Sequence, residues 1–152
     1  MRIATEGDAA ALVALINAAF AVERPIFGGE RIDREGVLAY LKKGAFLIAE
    51  DVNELIGCVY GEVRGESGYV GLLSVQPARQ GTGLGRRLMA AVENFFREKG
   101  CKNAELRVVS AREGLPAFYR HLGYVESGIE PLPAELKAKV ACHFQYMTKA
   151  IG

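Results

Sequence analysis

The 152-residue chain is short of the residues that make a metal centre, a disulfide scaffold or a membrane span. It has two histidines and three cysteines. Cys58, Cys101 and Cys142 show no metal-ligand spacing, and an odd count argues against a disulfide framework. Sparse thiols of this kind fit a reducing compartment, so a cytoplasmic setting is expected. No apolar run approaches the ~20 residues of a membrane-spanning helix. Glu6 and Asp8 interrupt the stretch where a signal peptide would need its apolar core. Charge of one sign is missing as well. Nineteen Lys and Arg face eighteen Asp and Glu, a net +1, which supplies neither a nucleic-acid arm nor a membrane-surface patch. There is no internal repeat, low-complexity tract or linker. What the chain does have is 50% hydrophobic residues, enough at this length to bury a proper core. Residues 1–152 are therefore expected to form a single domain. A homodimer is compatible with the sequence.

Hydrophobic periodicity and turn chemistry divide the chain into elements. Met1 to Thr5 reads as a short strand, and Thr5 to Asp8 as a capping box with Asp in place of Glu. Leu12, Leu15, Ile16, Ala19 and Phe20 follow at helical spacing, giving a helix to about Val22 that Pro25 and Gly28-Gly29 break. Asp33 caps a second helix carrying Val37, Leu38 and Leu41, closed by Gly44. Three strands come next: Ala45 to Glu50, Leu55 to Arg64 and Tyr69 to Val75, with turns at Asp51 to Glu54 and Gly65 to Gly68. The third is apolar at nearly every residue, which predicts a central strand buried on both faces. Gly71 inside it marks a bulge or a close approach of ligand. A long helix carries Leu84, Leu88, Ala91, Val92, Phe95 and Phe96 on one stripe and ends at Gly100. Ala104 to Val109 is a strand and Leu115 to Leu122 a short helix. Strands beginning at Tyr124 and at Val140 complete the chain, with Pro131 and Pro133 in the loop between them. This pattern predicts an α/β sandwich on a mixed sheet.

The most informative segment joins the third strand to the long helix: Val75-Gln76-Pro77-Ala78-Arg79-Gln80-Gly81-Thr82-Gly83-Leu84-Gly85-Arg86-Arg87. Glycines let backbone N–H groups approach a ligand, and a helix N-terminus adds about half a positive charge. The expected ligand carries a phosphate or pyrophosphate. A Walker loop would need Lys-Ser/Thr after the glycines, and the dinucleotide fingerprint needs a different spacing. The spacing Gly81-x-Gly83-x-Gly85 fits neither. Arg86 and Arg87 sit where the helix dipole disfavours positive charge, a penalty that a bound polyphosphate would reverse.

Gln80-Gly81-Thr82-Gly83-Leu84-Gly85, with Pro77 upstream, resembles the Gln/Arg-x-x-Gly-x-Gly/Ala signature of the GCN5-related N-acetyltransferases. Phe118-Tyr119-Arg120-His121-Leu122-Gly123-Tyr124 resembles that family's second segment, in the right order and at the right separation. The resemblance covers essentially the whole chain. It implies the acyl-CoA N-acyltransferase fold, with a mixed, mostly antiparallel central sheet flanked by helices. It implies acetyl-CoA as donor and no metal. The backbone of Gln80, Gly81, Thr82, Gly83, Leu84, Gly85 and Arg86 would hold the pyrophosphate. The strand edge at Leu73, Ser74 and Val75 would pair with the amide-rich pantetheine arm, whose polar groups need partners.

Acyl transfer from a thioester needs a neutral amine, a donor for the oxyanion and a proton for the departing thiolate. A backbone N–H near Val75 suits the second task. Tyr119 stands where the family keeps its general-acid tyrosine. A phenol near pKa ~10 can protonate a thiolate near ~8.5 with modest loss. The base is less defined. Many family members carry an acidic residue twelve positions before the tyrosine, and here that residue is Arg107. Glu105, two residues earlier on the same strand face, and Glu62 are candidates, with His143 a third, and the alternative is no dedicated base at all, with water removing the proton. Another departure is Arg112, seven before the tyrosine, where the family often has an Asn that bonds pantetheine. The resemblance places the acceptor site at residues 24–32 and 128–144, with Phe27, Phe144 and Tyr146 as an apolar wall or as core. The expected acceptor is a small-molecule amine. A peptide or protein amine and a non-catalytic acyl-CoA sensor are the alternatives.

Overall fold

The computed structural model describes residues 1–112, 114–133, 136 and 138–152, with the backbone alone at residue 24. Part of the loop expected between Pro131 and Val140 lies outside the described residues. The elements run β1 (Arg2–Ile3), α1 (Ala9–Ala19), α2 (Arg24–Phe27), α3 (Arg34–Lys43), β2 (Ala45–Asp51), β3 (Glu54–Arg64), β4 (Ser67–Val75), α4 (Leu84–Glu98), β5 (Asn103–Val109), α5 (Gly114–His121), β6 (Val125–Pro131) and β7 (His143–Ala150). The strands form one seven-stranded sheet in the order β1-β2-β3-β4-β5-β7-β6. Only β4 and β5 pair in parallel; every other pair is antiparallel. The expected mixed α/β fold is therefore what the chain adopts.

The two faces of the sheet carry separate cores. On one, α1 and α3 bring Leu12, Leu15, Ile16 and Val37 against Phe46, Ile48, Tyr60 and Leu72. On the other, α4 brings Leu84, Leu88, Val92 and Phe96 against Val59, Val70, Leu106 and Met147. The stripe read from the sequence of α4 is the buried one, and each large apolar side chain so covered contributes about 1.5–3 kcal/mol. Glycine lets the helix lie close to the sheet. A Cβ on Gly68 would fall 2.3 Å from the Phe96 ring, and one on Gly61 would fall 2.8 Å from Val92. Glu93 is also buried on this helix, where it accepts hydrogen bonds from the Tyr124 hydroxyl at 3.0 Å and Lys149 Nζ at 2.8 Å.

Several boundaries differ from those expected. α1 ends at Ala19 and tightens into a 3-10 turn over Phe20–Glu23. Pro25 lies inside the single turn of α2 rather than breaking the chain there; the first turn of a helix has no partner for the N–H that proline lacks. The strand expected from Tyr124 is longer and runs to Pro131 at the sheet's outer edge, where proline costs no ladder bond. The last strand starts at His143, not Val140.

β4 is central and feeds both cores, as expected, with half-buried residues between its buried ones. The bulge expected at Gly71 falls one residue later. Tyr60 pairs with Gly71 and Cys58 with Ser74, so Leu72 and Leu73 together oppose Val59. Leu72 takes a φ of 53°, a left-handed conformation that is uncommon and costly for a leucine. The extra residue reverses the alternation. Val70, Leu73 and Val75 pack toward α4, while Leu72 packs toward α1.

Candidate active site

The pairing of β4 with β5 stops early. Ser67, Gly68 and Tyr69 pair with Asn103, Ala104 and Glu105, and beyond that the two strands diverge. A slot opens between them, bounded by β4 from Val70 onward. Gln76 N–H donates to the Ile56 carbonyl at 2.9 Å, so that residue faces β3. By antiparallel alternation, Ser74 also turns its backbone to β3, and Leu73 and Val75 turn theirs to the slot. Of the three residues expected to present a strand edge, two therefore do so. Ser74 is buried, and its hydroxyl donates to the Leu72 carbonyl at 2.9 Å.

At the mouth of the slot lies the glycine loop. Gly81 and Gly83 have φ of 80° and 84°, and no atom lies within 4 Å of where their Cβ would be. A Cβ on Gly85 would meet Phe118 at 3.5 Å, an ordinary contact, so packing does not demand glycine there either. No side chain caps α4. The N–H groups of its first turn are thus unsatisfied and uncovered. Thr82 Oγ donates back to the Arg79 carbonyl at 2.6 Å, and Gln80 Nε2 reaches the Val75 carbonyl at 3.4 Å. Both side chains brace the loop. Arg86 and Arg87 are exposed and make no ion pair among the described residues, whereas Arg79 binds Asp51 at 2.7 Å. An uncapped helix start, bare glycines and two free guanidiniums suit a pyrophosphate; the unpaired edge of β4 suits a chain of amides.

Tyr119 lies on α5, in the core on the α4 side of the sheet. It is 7% exposed, and its ring packs edge-on against Phe118 and Tyr124. Burial pushes the phenol's pKa up, and the Arg112 charge opposes that rise. The hydroxyl stays protonated across the neutral range. Arg112 is fixed by Glu23 at 3.1 Å and lies over the Phe20 ring. Its position therefore serves to anchor the end of α1 to the loop after β5 and to place positive charge near Tyr119.

The opposite face of the slot is charged. Ala104, Leu106 and Val108 point toward α4, so Glu105 and Arg107 point toward the face covered by α1 and α3. Two adjoining cavities of about 220 and 160 Å³ lie there and share Arg64, Tyr69 and Arg107. Gly71 and Leu72 line the larger, beside the bulge, and Glu105 lines the smaller. Glu62 accepts from Tyr60 at 2.6 Å and from Arg64 at 2.6 Å, and the Arg64 guanidinium lowers its pKa. Glu105 has no hydrogen-bond partner among the described residues, which leaves it the freer carboxylate. Phe144 is buried with Ile26 and Val109, and Phe27 packs on that cluster. Neither ring lines these two cavities, whereas Tyr146, the third ring of the expected wall, lines the smaller one; Phe144 supports the Arg107 guanidinium, 4.1 Å above its centre. His143 begins β7, its N–H bonded to Ser110 Oγ at 2.9 Å. Cavity-lining Arg31 lies in the stretch 24–32 that the resemblance assigns to the acceptor, though nothing singles it out there, and reading the sequence alone misses Lys43.

The acetyltransferase (GNAT) family model matches residues 11–124. The chain belongs to that family and is an acetyl-CoA-dependent N-acetyltransferase. Its fold is shared with ribosomal-protein-alanine N-acetyltransferase from Brucella melitensis, at 23% identity and a TM-score of 0.78, over 98% of each chain. It is shared with a putative acetyltransferase from Salmonella typhimurium solved with its cofactor acetyl-CoA, at 21% identity and a TM-score of 0.79, over 99% of this chain and 92% of that one. Nourseothricin acetyltransferase is similar too, at 21% identity and a TM-score of 0.77, over 99% and 97%. Among the described residues, no group of three or more His, Cys, Asp or Glu could hold a metal, and no helix is long and apolar enough to cross a membrane.

Proposed function

We propose that the protein transfers an acetyl group from acetyl-CoA to the primary amine of a small molecule by direct attack. The early end of β4–β5 pairing carries this reading, because it opens a passage between the two faces of the sheet. The N–H groups of residues 81–86 hold the pyrophosphate, and the open edge at Leu73 and Val75 holds the pantetheine arm. Acetyl-CoA supplies the activated acyl group. A slot-facing N–H of Leu73 or Val75 donates to the carbonyl oxygen as charge develops there. Tyr119 gives its proton to the leaving sulfur from the α5 side. Glu105 takes the amine's proton from the α3 side, directly or through one water. Direct attack is favoured over a thiol relay: Cys58, beside the bulge, is buried and its pKa is pushed up to about 12.

The modest volume of the larger cavity, which opens to solvent, favours a small acceptor. The likeness to a ribosomal-protein-alanine N-acetyltransferase keeps a peptide N-terminus as the second reading. Residues 1–152 act as one domain in this account, since one sheet takes in both β1 and β7. Every residue invoked lies on one chain, so a monomer and a homodimer serve equally. Three free cysteines, two of them buried, accord with a cytoplasmic setting. The test is acetyl-CoA-dependent thiol release across a panel of small amines and short peptides. Turnover with small amines is expected. Turnover with peptides alone selects the second reading, and tight acetyl-CoA binding without any turnover makes the chain a sensor.

A further inference from the structure

We infer that the acceptor amine also carries a carboxylate, bound by the guanidinium and ammonium groups of the larger cavity; this rests on the small-molecule reading above. Four cations line that cavity: Arg31, Lys43, Arg64 and Arg107. Against them stand Glu62, in the same wall, and Glu105, in the adjoining cavity. Glu62 is occupied by Arg64 and Tyr60. That pair leaves Arg31, Lys43 and Arg107 without an ion-pair partner among the described residues.

Two of these cations are held without being neutralised. The Arg107 guanidinium lies over the Phe144 ring at 4.1 Å, and Arg31 lies over Phe20 at 5.4 Å. Stacking on an aromatic face fixes a guanidinium in place and leaves its N–H edge available to a carboxylate, although on Arg107 that edge also meets the Tyr146 hydroxyl. Lys43 ends α3, where the helix dipole favours its charge. The cations come from the loop before α3, from α3 itself and from β3 and β5, and they converge on the side of the slot opposite Tyr119. The same field repels a polycationic acceptor. Glu105 lies next to Arg64 and Arg107, so an α-amino acid could place its carboxylate on the guanidiniums and its amine toward Glu105.

The test compares each accepted amino acid with its decarboxylated amine, such as phenylalanine with 2-phenylethylamine or methionine with 3-methylthiopropylamine. O-phosphoethanolamine and ethanolamine form a further pair. We expect kcat/KM to favour the carboxylate by at least tenfold, and added salt to reduce that ratio. Arg31→Gln with Arg107→Gln should bring the ratio down at least tenfold while the Kd for acetyl-CoA stays unchanged, which also shows that the variant is folded. Lys42→Gln, on the same helix as Lys43 but outside the cavity, should leave the ratio as it is. Equal or better rates with the decarboxylated amines overturn the inference and leave small-amine acetylation standing. So does an unchanged ratio in the double variant. A preference for the phosphate pair alone overturns the carboxylate assignment. No turnover with any small amine removes the underlying function and the inference together.

Discussion

The two sides of the β4–β5 slot are built from different materials. The proposed donor side is backbone: N–H groups of the loop and first turn at 81–86, and the open edge at Leu73 and Val75. Beneath it lies a dry core led by Leu88, Val92 and Phe96. The proposed acceptor side is made of charged side chains, drawn from four separate parts of the chain around a solvent-open cavity. Backbone recognition suits a ligand of fixed chemistry, since amides and phosphates always ask for the same partners. Side-chain recognition can change one residue at a time, which suits the half of a reaction whose substrate varies.

That contrast can be broken by mutation, beginning with the proposed general acid. Tyr119→Phe should lower kcat by at least ~100-fold, the low end for a lost general acid, with the Kd for acetyl-CoA nearly unchanged. Steady-state rates and calorimetry measure the two effects. An equal loss in both would make Tyr119 a packing residue. A smaller effect is expected on the donor side alone. Gly83→Val forces a β-branched residue to a φ of 84° and sets methyl groups over the N–H cradle. The conformational cost of ~1–2 kcal/mol alone corresponds to about tenfold or more in acetyl-CoA affinity. The ratio of rates between two amines should not move.

Stability separates the halves further. Gly68→Ala drives a methyl into the Phe96 ring and should cost about 1–3 kcal/mol in urea-induced unfolding, all of it in the core under the donor side. The smallest effect belongs to the acceptor side's outer edge. Arg2 binds Asp8 at 2.8 Å and holds its carboxyl down to about 2. The unfolded value is near ~3.9, so this stabilisation is complete above that pH and is lost as pH falls toward 2. Hydrogen exchange should show β1 and the start of α1 loosening first on acidification. Asp8→Asn should flatten the dependence.

The same contrast explains what could be read from the sequence. Gln80 to Gly85 is contiguous, and glycine is favoured at the positive φ of Gly81 and Gly83, so the proposed donor site carries its own local signature. The α4 stripe and the Asp33 cap are equally local, and both lie where they were expected. Arg31, Lys43, Arg64 and Arg107 become neighbours only when the sheet and α3 assemble, and no spacing in the chain announces them. The sequence leaves Phe27 and Phe144 open between wall and core because an aromatic ring looks the same in both, and Phe144 takes the core alternative. The bulge at Leu72 escapes for a related reason: tertiary pairing imposes a conformation that leucine's own preference opposes, so Gly71 attracts attention one residue too early.

The most direct test of a two-sided site is backbone chemical-shift mapping during sequential titration. Acetyl-CoA should shift the amides of Leu73, Val75 and residues 81–86 and leave Lys43 in place. A carboxylate-bearing amine, added next with a non-transferring acetyl-CoA analogue already bound, should shift Arg31, Lys43, Arg64 and Arg107. Acetyl-CoA shifts confined to the cavity under α3, with the glycine loop unmoved, would contradict the account.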